Sequence, residues 1–472
     1  MTNVSLSGKA DATPRRGLLL YKMGILVSGV CFASLAALAG DLSFTISADR
    51  ADAQYSLGEE AVFTVTARDA DGAPAKGGIV CWKLNNFGDK VFASGEEDLS
   101  KNGGTFTVKG AQVEPGFLRL DVAEKAQDPV YTMWGVVFDP EKIVPGTPNP
   151  PDFMDFWREA IRNYDREVTE PIRVTEVERT DEAVMYELRI PSTQGRYVWG
   201  YFSEPLDKSK GPYPLTVTVP GAGPSTWGGR GMKADAMSLW VNVHYYDPVV
   251  LKGEKHKSPK CLAVQKVEDE AYAKKYPVKN VRYTNCGIAV SREDYFYYGV
   301  ILAANRAVDW AASRPGVDAK RIGYSGISQG GGFGLILTSL NKNIRFARIA
   351  VPALTDLLGD RISSREAGWP RLIAAQLPEN RSAAEKNAPY FCGVNFARHI
   401  DVPIGFVVGF IDTVCPPHTG YAAYNVCPSK TKAIFYSVGW GHDASRGEGG
   451  RALNKWMSNI RQRFNLTSSP ST

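Results

Sequence analysis

One stretch constrains this chain more than any other: Arg321-Ile-Gly-Tyr-Ser-Gly-Ile-Ser-Gln-Gly-Gly-Gly-Phe-Gly334. Its apolar start, Arg321 to Tyr324, reads as a short strand, and Leu335 to Leu340 beyond it reads as a buried helix. Between them, Gly326-Ile327-Ser328-Gln329-Gly330 is a G-x-S-x-G. In a sharp strand-to-helix turn, that pattern holds the serine in a strained conformation and lifts its hydroxyl above the sheet. The flanking glycines let strand and helix approach closely, and the N–H groups at the helix start offer donors where negative charge develops. Chance matches to the pentapeptide are common. A nucleophile at Ser328 therefore requires a base, an acid and an oxyanion hole elsewhere in the chain.

A serine hydroxyl needs a neighbouring base to take its proton, and imidazole is the usual one near neutral pH. The chain has five histidines: His244, His256, His399, His418 and His442. In α/β-hydrolases the order is Ser, then Asp or Glu, then His, which leaves the last three. His442 follows the last apolar strand, Ala433–Val438, where loops rise at the carboxyl edge of a sheet. His399 precedes a strand, at the wrong edge, and His418 leaves no room for an acid and a further strand before it. Asp412 follows the strand Pro403–Phe410 and is the expected acid; Asp360 and Asp401 are its rivals. The oxyanion hole is expected from the backbone N–H of Gln329 and that of Ala222, in the turn Pro220-Gly-Ala-Gly223 after the apolar strand Tyr213–Val219.

The rest of the chain divides around this constellation. Residues 1–39 read as an export signal, with basic residues ahead of the apolar run Gly24–Ala39 and small residues at Ala37 and Ala39 for cleavage. The run is short for a membrane anchor and lacks a basic stop-transfer flank, so a secreted or periplasmic protein is expected. This segment carries +3 of the chain's formal +5, and the small remainder is no electrostatic footprint for nucleic acid or a membrane surface. Residues 40–138 show about seven short alternating strands with turn signals between them, which suggests an immunoglobulin-like sandwich. Residues 139–151 form a proline-rich, stiff connector. Residues 152–466 alternate strands and helices and predict a mostly parallel sheet with helices on both faces, leaving 467–472 as a tail. Beyond the signal lie Cys81, Cys261, Cys286, Cys392, Cys415 and Cys427. They allow disulfides such as Cys261–Cys286 and Cys415–Cys427, or stand as buried thiols. No C-x-x-C pair or His/Cys cluster marks a metal site, and no cofactor is expected.

Several motifs resemble the acetyl xylan esterase/cephalosporin C deacetylase family, carbohydrate esterase family seven. They are Asp294-Tyr-Phe-Tyr-Tyr298, Arg306-Ala-Val-Asp309, Asp318-Ala-Lys-Arg-Ile322, Gly326-Ile-Ser-Gln-Gly-Gly331, Val408-Gly-Phe-Ile-Asp-Thr-Val-Cys-Pro-Pro417 and Tyr421-Ala-Ala-Tyr-Asn425. The resemblance runs from Phe153 to the C-terminal helix. It implies an α/β-hydrolase with Ser328, Asp412 and His442 as its triad, deacetylating small acetylated sugars without metal or cofactor; the family's ring-like oligomers leave self-association open. Three positions depart from the family. Pro220-Gly221-Ala222 stands where the family has His-Gly-Tyr, His244-Tyr245-Tyr246 near its Arg-Gly-Gln, and His442-Asp443 at its His-Glu. The segment Asp247–Thr284 is Lys-rich, divergent and read as a loop at the pocket mouth. An exported serine esterase acting on acetylated xylo-oligosaccharides is thus the leading expectation. The alternatives are a prolyl-oligopeptidase-like peptidase and a non-catalytic carbohydrate-binding protein on a hydrolase scaffold.

Overall fold

A computed structural model describes residues 42–126, 129–224, 231–251, 253–255, 258–276, 278–279 and 282–466, all within one compact unit. The export-signal reading of residues 1–39, the tail 467–472 and His256 lie outside them. Among the described residues, no helix is long and apolar enough to cross a membrane.

The chain begins with eight strands: β1 (Ser43–Ala48), β2 (Gln54–Tyr55), β3 (Ala61–Arg68), β4 (Ile79–Asn85), β5 (Val91–Asp98), β6 (Thr105–Gly110), β7 (Gly116–Glu124) and β8 (Thr132–Phe138). They form two sheets, β1-β3-β6 and β2-β8-β7-β4-β5, antiparallel except where β2 runs parallel to β8. Alternation builds the sandwich. In β3, Ala61, Phe63, Val65 and Ala67 are buried while Val62, Thr64 and Thr66 are half-buried, so one face meets the core shared with Val80, Leu118 and Leu120 of the other sheet.

The connector is held by hydrogen bonds to side chains further along the chain. Buried Asp356 accepts hydrogen bonds from the Gly146 and Thr147 N–H groups, each 2.9 Å, and from the Thr147 hydroxyl at 3.0 Å. Its other oxygen pairs with Arg365 at 2.9 Å, and Arg365 also donates to the Val144 carbonyl.

Beyond the connector come α1 (Phe153–Glu167), β9 (Arg173–Arg179), β10 (Ala183–Pro191), β11 (Tyr197–Pro205), β12 (Tyr213–Thr218), β13 (Met237–Val241), α2 (Pro259–Lys275) and α3 (Phe296–Ala312). They are followed by β14 (Val317–Ile327), α4 (Gln329–Leu340), β15 (Phe346–Ala350), α5 (Arg381–Asn387), α6 (Gly393–Ala397), β16 (Ile404–Gly409), α7 (Pro417–Val426), β17 (Lys432–Ser437) and α8 (Glu448–Leu466). The sheet order is β17-β16-β15-β14-β12-β13-β11-β10-β9, parallel from β17 to β13 and antiparallel beyond. Strand order reverses at β12, which has β13 on one side and β14 on the other. The carboxyl ends of β12 and β14 therefore mark the switch point at which open α/β sheets bind ligands. The fold is an α/β-hydrolase behind a β-sandwich, as the sequence predicts.

Three expectations change. The strand expected to begin at Arg321 begins at Val317, and residues 318–321 bulge inside β14, where pairing steps from Tyr213↔Val317 to Leu215↔Ile322. The stretch Asp247–Thr284 is not all loop, because it contains α2, whose first turn is capped by the Ser258 hydroxyl accepting from Cys261 N–H. The pairings Cys261–Cys286 and Cys415–Cys427 do not form, and all six cysteines are free. Cys261, Cys286 and Cys427 instead aim their thiols at the carbonyls of Lys255, Arg282 and Ile400.

The sandwich also reaches the loops that follow β16 and β17. Phe117 meets Phe410 edge-to-face at 5.1 Å, and Gln54 donates to the Tyr436 hydroxyl at 2.7 Å. At Gly135 of β8 a Cβ would stand 2.2 Å from the Phe410 carbonyl oxygen, and at Gly439 one would stand 2.9 Å from the Trp134 ring.

Candidate active site

Ser328 sits between β14 and α4 with φ 59° and ψ −123°, a strained conformation for a residue with a side chain. Its neighbours hold it there. Ser328 N–H donates to the Ala350 carbonyl at 3.0 Å, and the Ser328 carbonyl accepts from Gly332 and Ala353 N–H groups at 3.0 Å. Gly330 is required by close approach, since a Cβ there would lie 2.1 Å from the Val219 carbonyl oxygen. The turn thus joins the nucleophile strand to the end of β12 without a spacer.

The three residues expected to act together do meet. The Ser328 hydroxyl lies 2.8 Å from His442 Nε2, and His442 Nδ1 lies 2.9 Å from Asp412 Oδ2. Asp412 is fully buried, and its second oxygen accepts from Val414 and Cys415 N–H groups at 2.8 and 2.9 Å. With Oδ2 facing it, Nδ1 carries the imidazole proton and Nε2 is left as an acceptor for the serine proton. Arg371 pins the acid loop by donating to the Thr413 and Val414 carbonyls while it pairs with Glu366. Ile411 N–H donates to the Trp440 carbonyl at 3.1 Å, which ties the acid loop to the base loop.

Cys415 lies close enough to rival the serine. Burial, reinforced by the Asp412 carboxylate, pushes its thiol well up, so it stays protonated and weakly nucleophilic. The other histidines are placed elsewhere. His399 stacks on Phe153, and buried His418 donates from Nε2 to the Glu366 carbonyl at 2.8 Å. Burial holds His418 well below the usual imidazole range, so it is neutral.

Gln329 organises the opposite wall. Its backbone N–H opens α4 and has no acceptor within the helix. Its buried carboxamide accepts from the Tyr283 and Tyr297 hydroxyls at 2.8 and 2.5 Å and donates to the Pro220 and Gly221 carbonyls, both at 3.3 Å. Burial holds both phenols above their usual range, so they remain donors. Because C=O and N–H lie on opposite sides of a trans peptide, fixing the Gly221 carbonyl against Gln329 turns the Ala222 N–H the other way. Tyr283, Tyr297, His244 and Glu268 were not singled out from sequence as parts of the site. Tyr297 lies in the Asp294–Tyr298 motif and His244 in a family departure, but Glu268 and Tyr283 carry no local signal. Among the described residues, no cluster of His, Cys, Asp or Glu is arranged to hold a metal ion.

With this geometry in hand, comparisons with known proteins agree on one relationship. The acetyl xylan esterase family model matches residues 141–459, beginning just past the last strand of the sandwich. The chain is 31% identical over 354 residues to the acetyl esterase Axe7A of Xylanibacter ruminicola, covering 73% of this chain and 75% of that protein. Among solved structures, the acetyl xylan esterase from Paenibacillus sp. R4 superposes with a TM-score of 0.54 at 22% identity, covering 69% of this chain and 98% of that one. Acetyl xylan esterase 1 from a Thermoanaerobacterium species gives 0.52 at 21% identity, covering 68% and 97%. The two structures support the fold; the family match and the curated relative bear on the chemistry and favour an esterase over a peptidase or a non-catalytic binding protein.

Proposed function

Since the chain belongs to the acetyl xylan esterase family and is a carboxylic ester hydrolase, we propose that it is exported and deacetylates acetylated xylo-oligosaccharides and polysaccharides through an acyl-enzyme on Ser328. The observation that carries this reading is the continuous Ser328–His442–Asp412 hydrogen-bonded chain at the switch point of the sheet. Ser328 Oγ attacks the acetyl carbonyl carbon while His442 Nε2 takes its proton, and Asp412 holds the imidazolium. The carbonyl oxygen, now an oxyanion, receives N–H groups from Gln329 and Ala222. Such a donor contributes about 3–4 kcal/mol to the transition state. Collapse breaks the ester C–O bond, and the sugar oxygen leaves with the proton from His442. Water, deprotonated by the same imidazole, then attacks acetyl-Ser328 and releases acetate. The basic-then-apolar segment ending at Ala39 supports export.

The experiment is acetate release from acetylated xylo-oligosaccharides, run beside dipeptide amides and followed by a fluorophosphonate label. The expected result is acetate release, no amide cleavage, and one adduct on the peptide containing Ser328. An adduct elsewhere, or none, overturns the mechanism.

Gln329→Ala tests the loop architecture. It strips the acceptor from the Tyr283 and Tyr297 hydroxyls and the donor from two carbonyls. Since each stranded polar group costs about 1–3 kcal/mol, we expect a lowered melting temperature together with a fall in kcat of about 100-fold. Wild-type kcat in a folded Gln329→Ala protein would refute the role given to the carboxamide.

A further inference from the structure

The loop after β12 is gripped from a second side, by a buried pair that the triad mechanism does not use. His244 lies just past β13 and is fully buried; Glu268, on α2, is nearly so. His244 Nδ1 lies 2.5 Å from Glu268 Oε2, and His244 Nε2 lies 2.8 Å from the carbonyl oxygen of Gly223. Gly223 directly follows Ala222.

The chemistry of these two contacts fixes the protons. A peptide carbonyl has none to give, so the His244 Nε2 must donate to Gly223. A neutral imidazole has one N–H, and with it on Nε2 the Nδ1 lone pair would face a carboxylate lone pair at 2.5 Å. The pair therefore holds a second proton between Nδ1 and Oε2. The remaining acceptor capacity of Glu268 is used as well. Its Oε1 accepts from Tyr245 N–H at 2.9 Å, and Gln265 approaches Oε2 at 3.4 Å. Aromatic rings close over His244, with Tyr246 stacked at 5.0 Å and Tyr283 edge-on at 4.6 Å between centroids.

Taken with Gln329, three carbonyls of the loop are held by buried donors: Pro220 and Gly221 by the carboxamide, Gly223 by the His244 Nε2–H. Gly223 N–H meanwhile meets the Tyr283 hydroxyl at 3.4 Å. The Ala222 N–H belongs to the peptide fixed from the nucleophile side, and the Gly223 carbonyl, two peptide units on, is fixed from the α2 side.

We infer that His244, oriented by Glu268, is a positioning residue that holds the Ala222 N–H at the oxyanion through the Gly223 carbonyl. This rests on the proposed function, in which that N–H serves the oxyanion. It assigns to α2 a part in transition-state stabilisation at one remove from the substrate. Ground-state binding does not need the oxyanion donor, so its misplacement falls on kcat rather than KM.

The test uses the full chain with 4-nitrophenyl acetate and acetylated xylo-oligosaccharides. His244→Leu removes the donor to Gly223 and is expected to lower kcat by about 100-fold, the scale of one oxyanion donor, with KM within about threefold. Glu268→Ala is expected to lower kcat at least about tenfold, and Glu268→Gln to restore most of that loss. The amide can donate to Nδ1 of a neutral His244, still accept from Tyr245 N–H, and leave Nε2–H on the Gly223 carbonyl. If His244→Leu does not fold, the Glu268 pair decides: equal kcat in the Ala and Gln variants overturns the inference. Wild-type kcat in a folded His244→Leu protein, or a loss seen only in KM, overturns it too. Fluorophosphonate labelling of Ser328 separates the two levels. A wild-type protein that labels there while the His244 and Glu268 variants keep full kcat defeats this inference alone, whereas a wild-type protein that fails to label at Ser328 defeats the underlying mechanism.

Discussion

Ser328→Ala is expected to lower kcat for acetyl ester hydrolysis by about 10⁵-fold while leaving the melting temperature within about 2 °C of the parent. The size follows from how a triad works. On the proposed mechanism, without the oxygen there is no covalent intermediate, and His442 and Asp412 have nothing to activate, so the loss approaches that of removing all three residues. The small stability effect follows from the local structure. The hydroxyl touches His442, which is partly exposed and can bond water instead. Alanine tolerates φ near 59° no worse than serine, so the strain of the turn is unchanged. Titrated acetate release and a circular-dichroism melt on the same preparation check both halves. Activity above about one part in a thousand of the parent, with a label still forming elsewhere, would move the nucleophile away from Ser328.

Asp356→Ala carries the largest expected cost in stability, about 3–5 kcal/mol. The carboxylate has no exposed surface and receives Gly146, Thr147 and Arg365. Its removal leaves a buried guanidinium without its counter-charge and frees the connector between sandwich and hydrolase. At about 2.1 cal/mol/K of unfolding entropy per residue, the midpoint should fall by roughly 3–5 °C. Adding Arg365→Met to Asp356→Leu should recover part of the loss, because replacing a buried pair with apolar groups is far milder than breaking it. Differential scanning calorimetry of the parent, the single variant and the double variant provides the check. A single variant that melts with the parent would show that the ion pair contributes nothing net.

What the sequence disclosed and what it hid divide along physical lines. The meeting of Ser328, Asp412 and His442 was legible because each stands at the carboxyl end of an apolar strand, and chain order left few candidates. The sandwich was legible because alternation is a local signal, as in Ala61–Arg68. The pair His244–Glu268 was not, since a buried ion pair across a helix leaves no periodic trace and looks like any two polar residues until the backbone brings them together. Helix α2 was passed over for a related reason. Its lysines and its exposed Leu262 and Val267 blur the amphipathic pattern, although Ser258-Pro259 is a proper helix start. Disulfides and free thiols stayed equally open in the sequence because even cysteine counts carry no information about where the thiols point. The proline-rich composition of the connector was legible, but its anchorage depends on Asp356, some two hundred residues further along the chain.

The contact of β8 with the loops that bear acid and base has a bearing on how such a chain can diverge. At Gly135 and Gly439 the two parts meet with backbone against backbone or ring, and even a methyl group finds no room. Ordinary interfaces drift by exchanging one side chain for another of similar size. This one offers no such intermediates at its two tightest points, so descendants would be expected to keep the sandwich in this pose or to abandon it altogether. A designer who swaps in a different β-module faces the same constraint and would have to rebuild the supports of Asp412 and His442 in the same step.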